Sequence, residues 1–160
     1  TYFRQSPKAE LDQTNTQKTI GLMQTFINTH PGSSRLKEAN GIIDKCREKL
    51  EAKEVKSAVL YYNMGHYLAA GIAYSSLMNN FPDAEKSEQY KLQVIKSYYL
   101  YARNSIDEKK AERYEKVVNE CNDFTDRFPD NALLKDVERY RNLSQTNIKE
   151  IQNEQVKKTN

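Results

Sequence analysis

The apolar side chains of this chain recur with the 3.6-residue period of amphipathic helices in every periodic segment. A repeated landmark is a proline preceded by an aromatic ring, at Pro31, Pro82 and Pro129. Because proline lacks a backbone N–H and cannot continue a helix, each of these positions predicts a helix end. Apolar residues recur five positions before each proline, at Phe26, Leu77 and Phe124. This self-similarity predicts an internal repeat built from helices.

The same prolines, together with residues that favour helix starts, predict six helices. Polar or small residues suited to a helix start follow each proline, and two further starts carry the capping-box pattern, Thr14 with Gln17 and Ser105 with Glu108. The predicted helices cover about residues 14–29, 34–63, 66–80, 84–103, 107–127 and 131–155. The pattern leaves open whether the long second helix is one helix or two joined end to end. The last helix carries a weakening apolar stripe and is predicted to cap the array.

Composition supports the helical class. The 160 residues include only five glycines and four prolines, too few to punctuate the many turns of a β-sandwich. Residues that hold helices well, such as Lys, Glu, Gln, Ala and Leu, are abundant. The predicted fold class is therefore all-α, in a single domain over residues 1–160.

The segment from Ala58 to Pro82 has the residue order of a tetratricopeptide hairpin. Small side chains at Ala58 and Ala70 permit two antiparallel helices to approach closely, and Gly65 permits the tight turn between them. Tyrosines are predicted to fill the gaps on the inward face. The predicted repeat-packing residues are Ala58, Tyr61, Gly65, Tyr67, Ala70, Tyr74, Leu77, Pro82, Phe124 and Pro129. The expected architecture is a tetratricopeptide-like helical-hairpin array, a right-handed α-solenoid.

Two longer runs resemble the BamD (YfiO) family of outer-membrane assembly lipoproteins. They are FINTHPGSSRLKEANGIIDKCREKLEAKE and YYNMGHYLAAGIAYSSLMNNFPDAEKSEQYKLQVIKSYYLYA, in which YYxxGxYxAA closes a long helix and FP follows. The resemblance covers about residues 6–127 and corresponds to the later hairpins of the family. The helix predicted after Pro129 has no counterpart in it.

The resemblance implies a protein-binding scaffold at the periplasmic face of the outer membrane. Its implied partners are a BamA-like barrel assembly protein, other assembly-complex subunits and unfolded outer-membrane proteins, whose insertion it would help. The chain begins without methionine and part-way through a repeat, so it is expected to be the C-terminal part of a longer lipoprotein whose lipid anchor is absent here. A tetratricopeptide adaptor for another envelope process, such as cell-wall or division coordination, remains the alternative.

Three residues are predicted to contact a partner. Tyr62 and Tyr101 fall off the strict inward pattern, and Arg103 lies beside the second of them near a predicted turn. Protein interfaces depend on a few aromatic or arginine anchors, which is why these residue types are chosen.

Other functional classes find little support in the residues. The 25 basic and 22 acidic side chains are mixed along the chain, which does not indicate a nucleic-acid-binding surface. His30 and His66 lie at helix junctions with no ligand or catalytic partner three or four residues away. Cys46 and Cys121 have no CxxC spacing and are predicted to be buried free thiols. No enzyme activity, metal or cofactor is therefore expected.

Overall fold

The computed structural model describes residues 2–5 and 8–159 of the chain, and within them it contains six α-helices and no strand. The helices are α1 (Thr14–Thr29), α2 (Leu36–Asn63), α3 (Tyr67–Asn80), α4 (Ser87–Arg103), α5 (Asp107–Arg127) and α6 (Leu134–Thr159). All six lie within a few residues of their predicted bounds, and α2 is one continuous helix. The prediction of an all-α fold is confirmed for the described residues.

Three helices end in the same way, immediately before a proline. The last turns of α1, α3 and α5 are closed by His30, Phe81 and Phe128, whose backbone N–H groups donate to the carbonyls of Phe26, Leu77 and Phe124. Their φ angles lie between −130° and −132°, outside the helical region. A residue before proline is pushed out of the helical region by the proline ring, so each Pro sets the helix end one residue ahead of it.

Neither predicted capping box forms. The residue before α1 is Gln13, which makes no side-chain cap, and the Thr14 N–H instead bonds to Asp12 Oδ1 at 3.0 Å. The Ser105 hydroxyl donates back to the Tyr101 carbonyl of α4. Ser105 therefore serves the end of the preceding helix. Ile106, the residue immediately before α5, is extended and makes no side-chain cap.

The chain separates into two compact units, Thr1–Lys56 and Ser57–Asn160, with the division inside α2. In the first unit, Lys53 Nζ donates to the Leu11 carbonyl at 2.9 Å and Lys56 pairs with Glu10, which fastens α2 to the segment before α1. The buried residues of α1 are Thr16 and Thr19 rather than large apolar side chains. A single domain over residues 1–160 stays a prediction.

In the second unit, consecutive helices pack on one another: α3 on α4, α4 on α5, and α5 on α6. The apolar core runs through all four helices, and its fully buried members include Ala70, Leu77, Val94, Ile95, Ala102, Val117, Cys121, Phe124 and Val137. Packed neighbouring hairpins of this kind are those of a tetratricopeptide-like array. The prediction of that array is confirmed here.

Candidate partner-binding surfaces

The turn between α2 and α3 is built around Gly65. Its φ of +78° lies in the left-handed region that side chains disfavour, and its N–H donates to the Tyr62 carbonyl at 3.1 Å. The His66 N–H donates to the Tyr61 carbonyl at 2.9 Å. These bonds close the end of α2 and direct the chain into α3 within a few residues.

The structure places the predicted repeat-packing residues at three levels of exposure. Ala58, Ala70, Tyr74, Leu77 and Phe124 are buried, whereas Tyr67 is half-buried. Both Pro82 and Pro129 are exposed beside the helix ends that they terminate.

Tyr61 was predicted on the inward face, and this is wrong because its side chain is 41% exposed. The inward face of α2 runs through Ala58, which is buried, and Tyr62, which is half-buried one turn later. Tyr61 lies about 100° away from Tyr62 around the helix and therefore faces outward.

Tyr62, predicted as a partner contact, is partly used inside the protein. Its ring meets that of Tyr67 edge to face, with centroids 5.5 Å apart. Burial raises the pKa of Tyr62, and nearby Tyr140 and Tyr67 act in the same direction while Arg103 opposes them. Arg103, a second predicted contact residue, therefore acts electrostatically on the Tyr62 hydroxyl.

Tyr101 makes contacts within the protein, whereas Arg103 is accessible. The guanidinium of Arg113 lies 4.2 Å from the centre of the Tyr101 ring, and Arg113 also donates to the Ser105 hydroxyl. A cation over the ring covers one face of Tyr101. Arg103 is exposed and makes no ion pair with any described residue, so it is the most accessible of the three.

Sequence reasoning missed four exposed apolar side chains around the turn from α2 to α3. Leu60 near the end of α2 and Met64 in the following turn are 57% and 59% exposed, and Leu68 and Ile72 on α3 are 41% and 52% exposed. The two residues of each pair are four apart in sequence, one pair at the end of α2 and one pair in α3. We call these four residues the hairpin stripes. Clustered exposed apolar side chains commonly mark a protein-binding surface.

A groove of about 370 Å³ lies between the turn from α4 to α5 and the C-terminal half of α6. Its lining mixes charged side chains with Tyr114 and Ile151. We call it the acidic groove, because its ionisable side chains are four carboxylates against two bases: Asp107, Glu108, Glu150 and Glu154, with Arg103 and Lys110.

A buried lysine joins α4 to α5. The Lys91 side chain is 7% exposed, and its Nζ lies 2.5 Å from Glu120 Oε2 and also pairs with Asp123. Burial alone would raise the pKa of Asp123, but Lys91 and then Arg127 hold it below its usual range. A buried ammonium requires such partners, so this cluster is a structural link rather than an open site.

The two histidines lie at helix ends, and the two cysteines lie within helices. His30 is exposed and stacks on Phe26 at 5.1 Å, and His66 precedes α3 without a side-chain cap. Both cysteines are buried free thiols, and burial raises the pKa of Cys121 to about 12. Over residues 2–5 and 8–159, no group of three or more His, Cys, Asp or Glu side chains is arranged to hold a metal ion. In the same range no helix combines the length and apolarity that a membrane span requires.

Comparison with known families gives one match. The model of the YfiO family, described as outer membrane lipoprotein, matches residues 1–113. A search of curated proteins finds no match. The matched region ends at Arg113 within α5, so α6 lies beyond it. Because the match covers well over half of the 160 residues, this chain belongs to the YfiO family of outer membrane lipoproteins.

Proposed function

We propose that the chain is a non-enzymatic protein-binding scaffold of the machinery that assembles β-barrel proteins in the outer membrane. In this proposal it docks on a BamA-like barrel protein and helps the insertion of outer-membrane proteins. The observation that carries the proposal is family membership over residues 1–113. Packed helical hairpins support it, since they present an extended surface suited to peptides and folded domains.

The docking surface that we propose is the α2–α3 hairpin with its neighbouring cation. The hairpin stripes supply apolar area that is exposed in the isolated chain. Arg103, exposed and without an ion pair among the described residues, supplies an anchor of the type that dominates interface energies. Tyr62 and Tyr101 are proposed as secondary contacts because internal partners occupy part of each ring.

The proposal places the full-length protein at the periplasmic face of the outer membrane, held by a lipid anchor. Other subunits of the assembly complex and unfolded outer-membrane proteins are its further proposed contacts. A family of outer membrane lipoproteins supports the location.

A pull-down with the tagged full-length protein from detergent-solubilised outer membranes tests the proposal. Wild type is expected to recover a BamA-like barrel protein. Leu68→Ser with Ile72→Ser is expected to reduce recovery about tenfold, since each removes exposed apolar contact area at the interface. Arg103→Ala should weaken recovery further, whereas Tyr62→Ala and Tyr101→Ala should have smaller effects.

The control is Val156→Ser, which removes an apolar side chain that is 60% exposed from α6. Circular dichroism of every variant verifies that the helices are intact. Recovery of cell-wall or division proteins in place of a barrel protein would overturn the proposal and favour an adaptor for another envelope process.

A further inference from the structure

The acidic groove has a net negative charge, whereas the whole chain has a net positive charge. The chain carries a formal charge of +3, whereas the groove brings four carboxylates together with two bases. Lys110 is paired with Asp107 at 2.8 Å. Glu108, Glu150 and Glu154 make no ion pair with any residue that the structure describes. The groove therefore presents negative charge that the chain itself does not neutralise, and this attracts a cation.

Tyr114 and Ile151 supply the apolar part of the groove lining. Tyr114 is 2% exposed and packs with Ala102 and Ile148, and the half-buried Ile151 lies against this cluster. The Tyr114 hydroxyl makes no hydrogen bond within residues 2–5 and 8–159. Because Tyr114 lines the groove, its hydroxyl can bond to a polar group that enters there. A ligand in the groove would supply such a group.

We propose that the acidic groove binds a segment of a partner protein in which a lysine or arginine side chain adjoins an apolar one. The cation lies between Glu150 and Glu154, which are four residues apart on α6 and so project from the same side of the helix. The apolar side chain packs on Ile151, and a donor of the segment bonds to the Tyr114 hydroxyl. A volume of about 370 Å³ suits a few side chains and not a folded domain.

This site shares Arg103 with the docking surface proposed above and is otherwise built from different residues. It depends on α6, which lies outside the family match, whereas the hairpin stripes belong to α2 and α3. Arg103 lies close to both surfaces, so the test leaves it unchanged. If the groove binds no peptide but the pull-down recovers a barrel protein, only this inference is refuted. If the groove binds the peptide but no barrel protein is recovered, only the proposed function is refuted.

The test is an NMR titration of the full chain with an amidated peptide in which Lys and Arg alternate with Leu. We expect shifts at the backbone amides of residues 107–110 and 147–155. Glu150→Gln with Glu154→Gln should weaken binding about tenfold, since two charges are removed with little change of shape. Tyr114→Phe should weaken it about fivefold by removing one hydrogen bond.

Two controls separate groove recognition from general attraction. Glu115→Gln with Asp126→Asn changes the net charge equally at exposed positions of α5 that do not line the groove, and it should leave binding unchanged. A peptide with Glu in place of Lys and Arg should not bind. The inference is overturned by absence of binding, by equal affinity of the Gln variant, or by concentration-dependent shifts without peptide that identify a second copy of the chain as the occupant.

Discussion

The contacts that α4 makes with α3 and with α5 depend on different interactions. Against α3, the contact depends on shape: a Cβ atom added at Gly71 would lie 2.8 Å from Cε1 of Tyr98. Against α5, the contact depends on charge, since buried Lys91 pairs with Glu120 and Asp123. On its α3 side, α4 therefore leaves no room for an added side-chain atom. On its α5 side, burial of Lys91 requires the two carboxylates that pair with it.

The largest expected effect comes from removing the charge on the α5 side. Lys91→Ala should destabilise the protein by about 3 kcal/mol, the lower end of the range for breaking a buried pair, because Glu120 and Asp123 keep some solvent. Lys91→Met, which keeps most of the volume, should cost less than Lys91→Ala. Urea unfolding followed by circular dichroism measures both. Equal losses for the two variants would mean that packing, and not charge, closes this contact.

A smaller loss is expected when volume is added on the α3 side. Gly71→Ala should destabilise by about 1 to 2 kcal/mol, because the new methyl group forces the buried Tyr98 ring to move. The control is Gly21→Ala in α1, where an added Cβ meets nothing within 4 Å and should stabilise by about 0.5 to 1 kcal/mol. If both substitutions stabilise the protein, the close approach of α3 to α4 is absent.

A buried position in α6 carries a polar group without a partner. Ser144 is fully buried, and its hydroxyl has no hydrogen-bond partner. Ser144→Ala should therefore stabilise by up to about 1 kcal/mol, since an unsatisfied buried polar atom is removed with little change of volume. Thermal unfolding of the variant measures the effect. A clear loss of stability would show that the hydroxyl is satisfied in solution.

The smallest effect concerns pH. Lys91 and Arg127 hold the pKa of Asp123 below its usual range, so this carboxylate adds stability above its unfolded pKa of about 4 and loses it as pH falls through the folded value. Asp123→Asn should cost about 0.5 kcal/mol at neutral pH, since the side chain is 39% exposed. The gap between wild type and variant should narrow below pH 4 in urea unfolding. A constant gap would indicate that ionisation is not involved.

The helix bounds were predictable because their signals are local. A proline after an aromatic residue fixes a helix end, and Gly65 fixes a turn, without reference to distant residues. Features decided by tertiary contacts were not predictable in this way. In the sequence Lys91 looks like a surface residue, and its burial depends on Glu120 and Asp123, which α5 supplies. The helical phase that half-buries Tyr62 and exposes Tyr61 differs from the predicted phase by a single residue.

The candidate surfaces also differ in whether local sequence signals or tertiary contacts determine them. The choice of Arg103 rested on residue type and a predicted turn, and the structure leaves that side chain exposed. The hairpin stripes carried a usable signal, since Leu60 and Met64, and then Leu68 and Ile72, repeat at four-residue spacing. The acidic groove gave no such signal in the sequence, because its two sides are about forty residues apart and meet only when α6 packs on α5.

Photocrosslinking in living cells tests the central claim, docking through the α2–α3 hairpin, most directly. A photoreactive amino acid is placed at Leu68 of the full-length protein, and at the exposed Glu115 of α5 as the control. The account predicts a crosslink from position 68 to a BamA-like barrel protein and none from position 115. Equal crosslinking from both positions, or a crosslink from position 68 to an unrelated envelope protein alone, would contradict it.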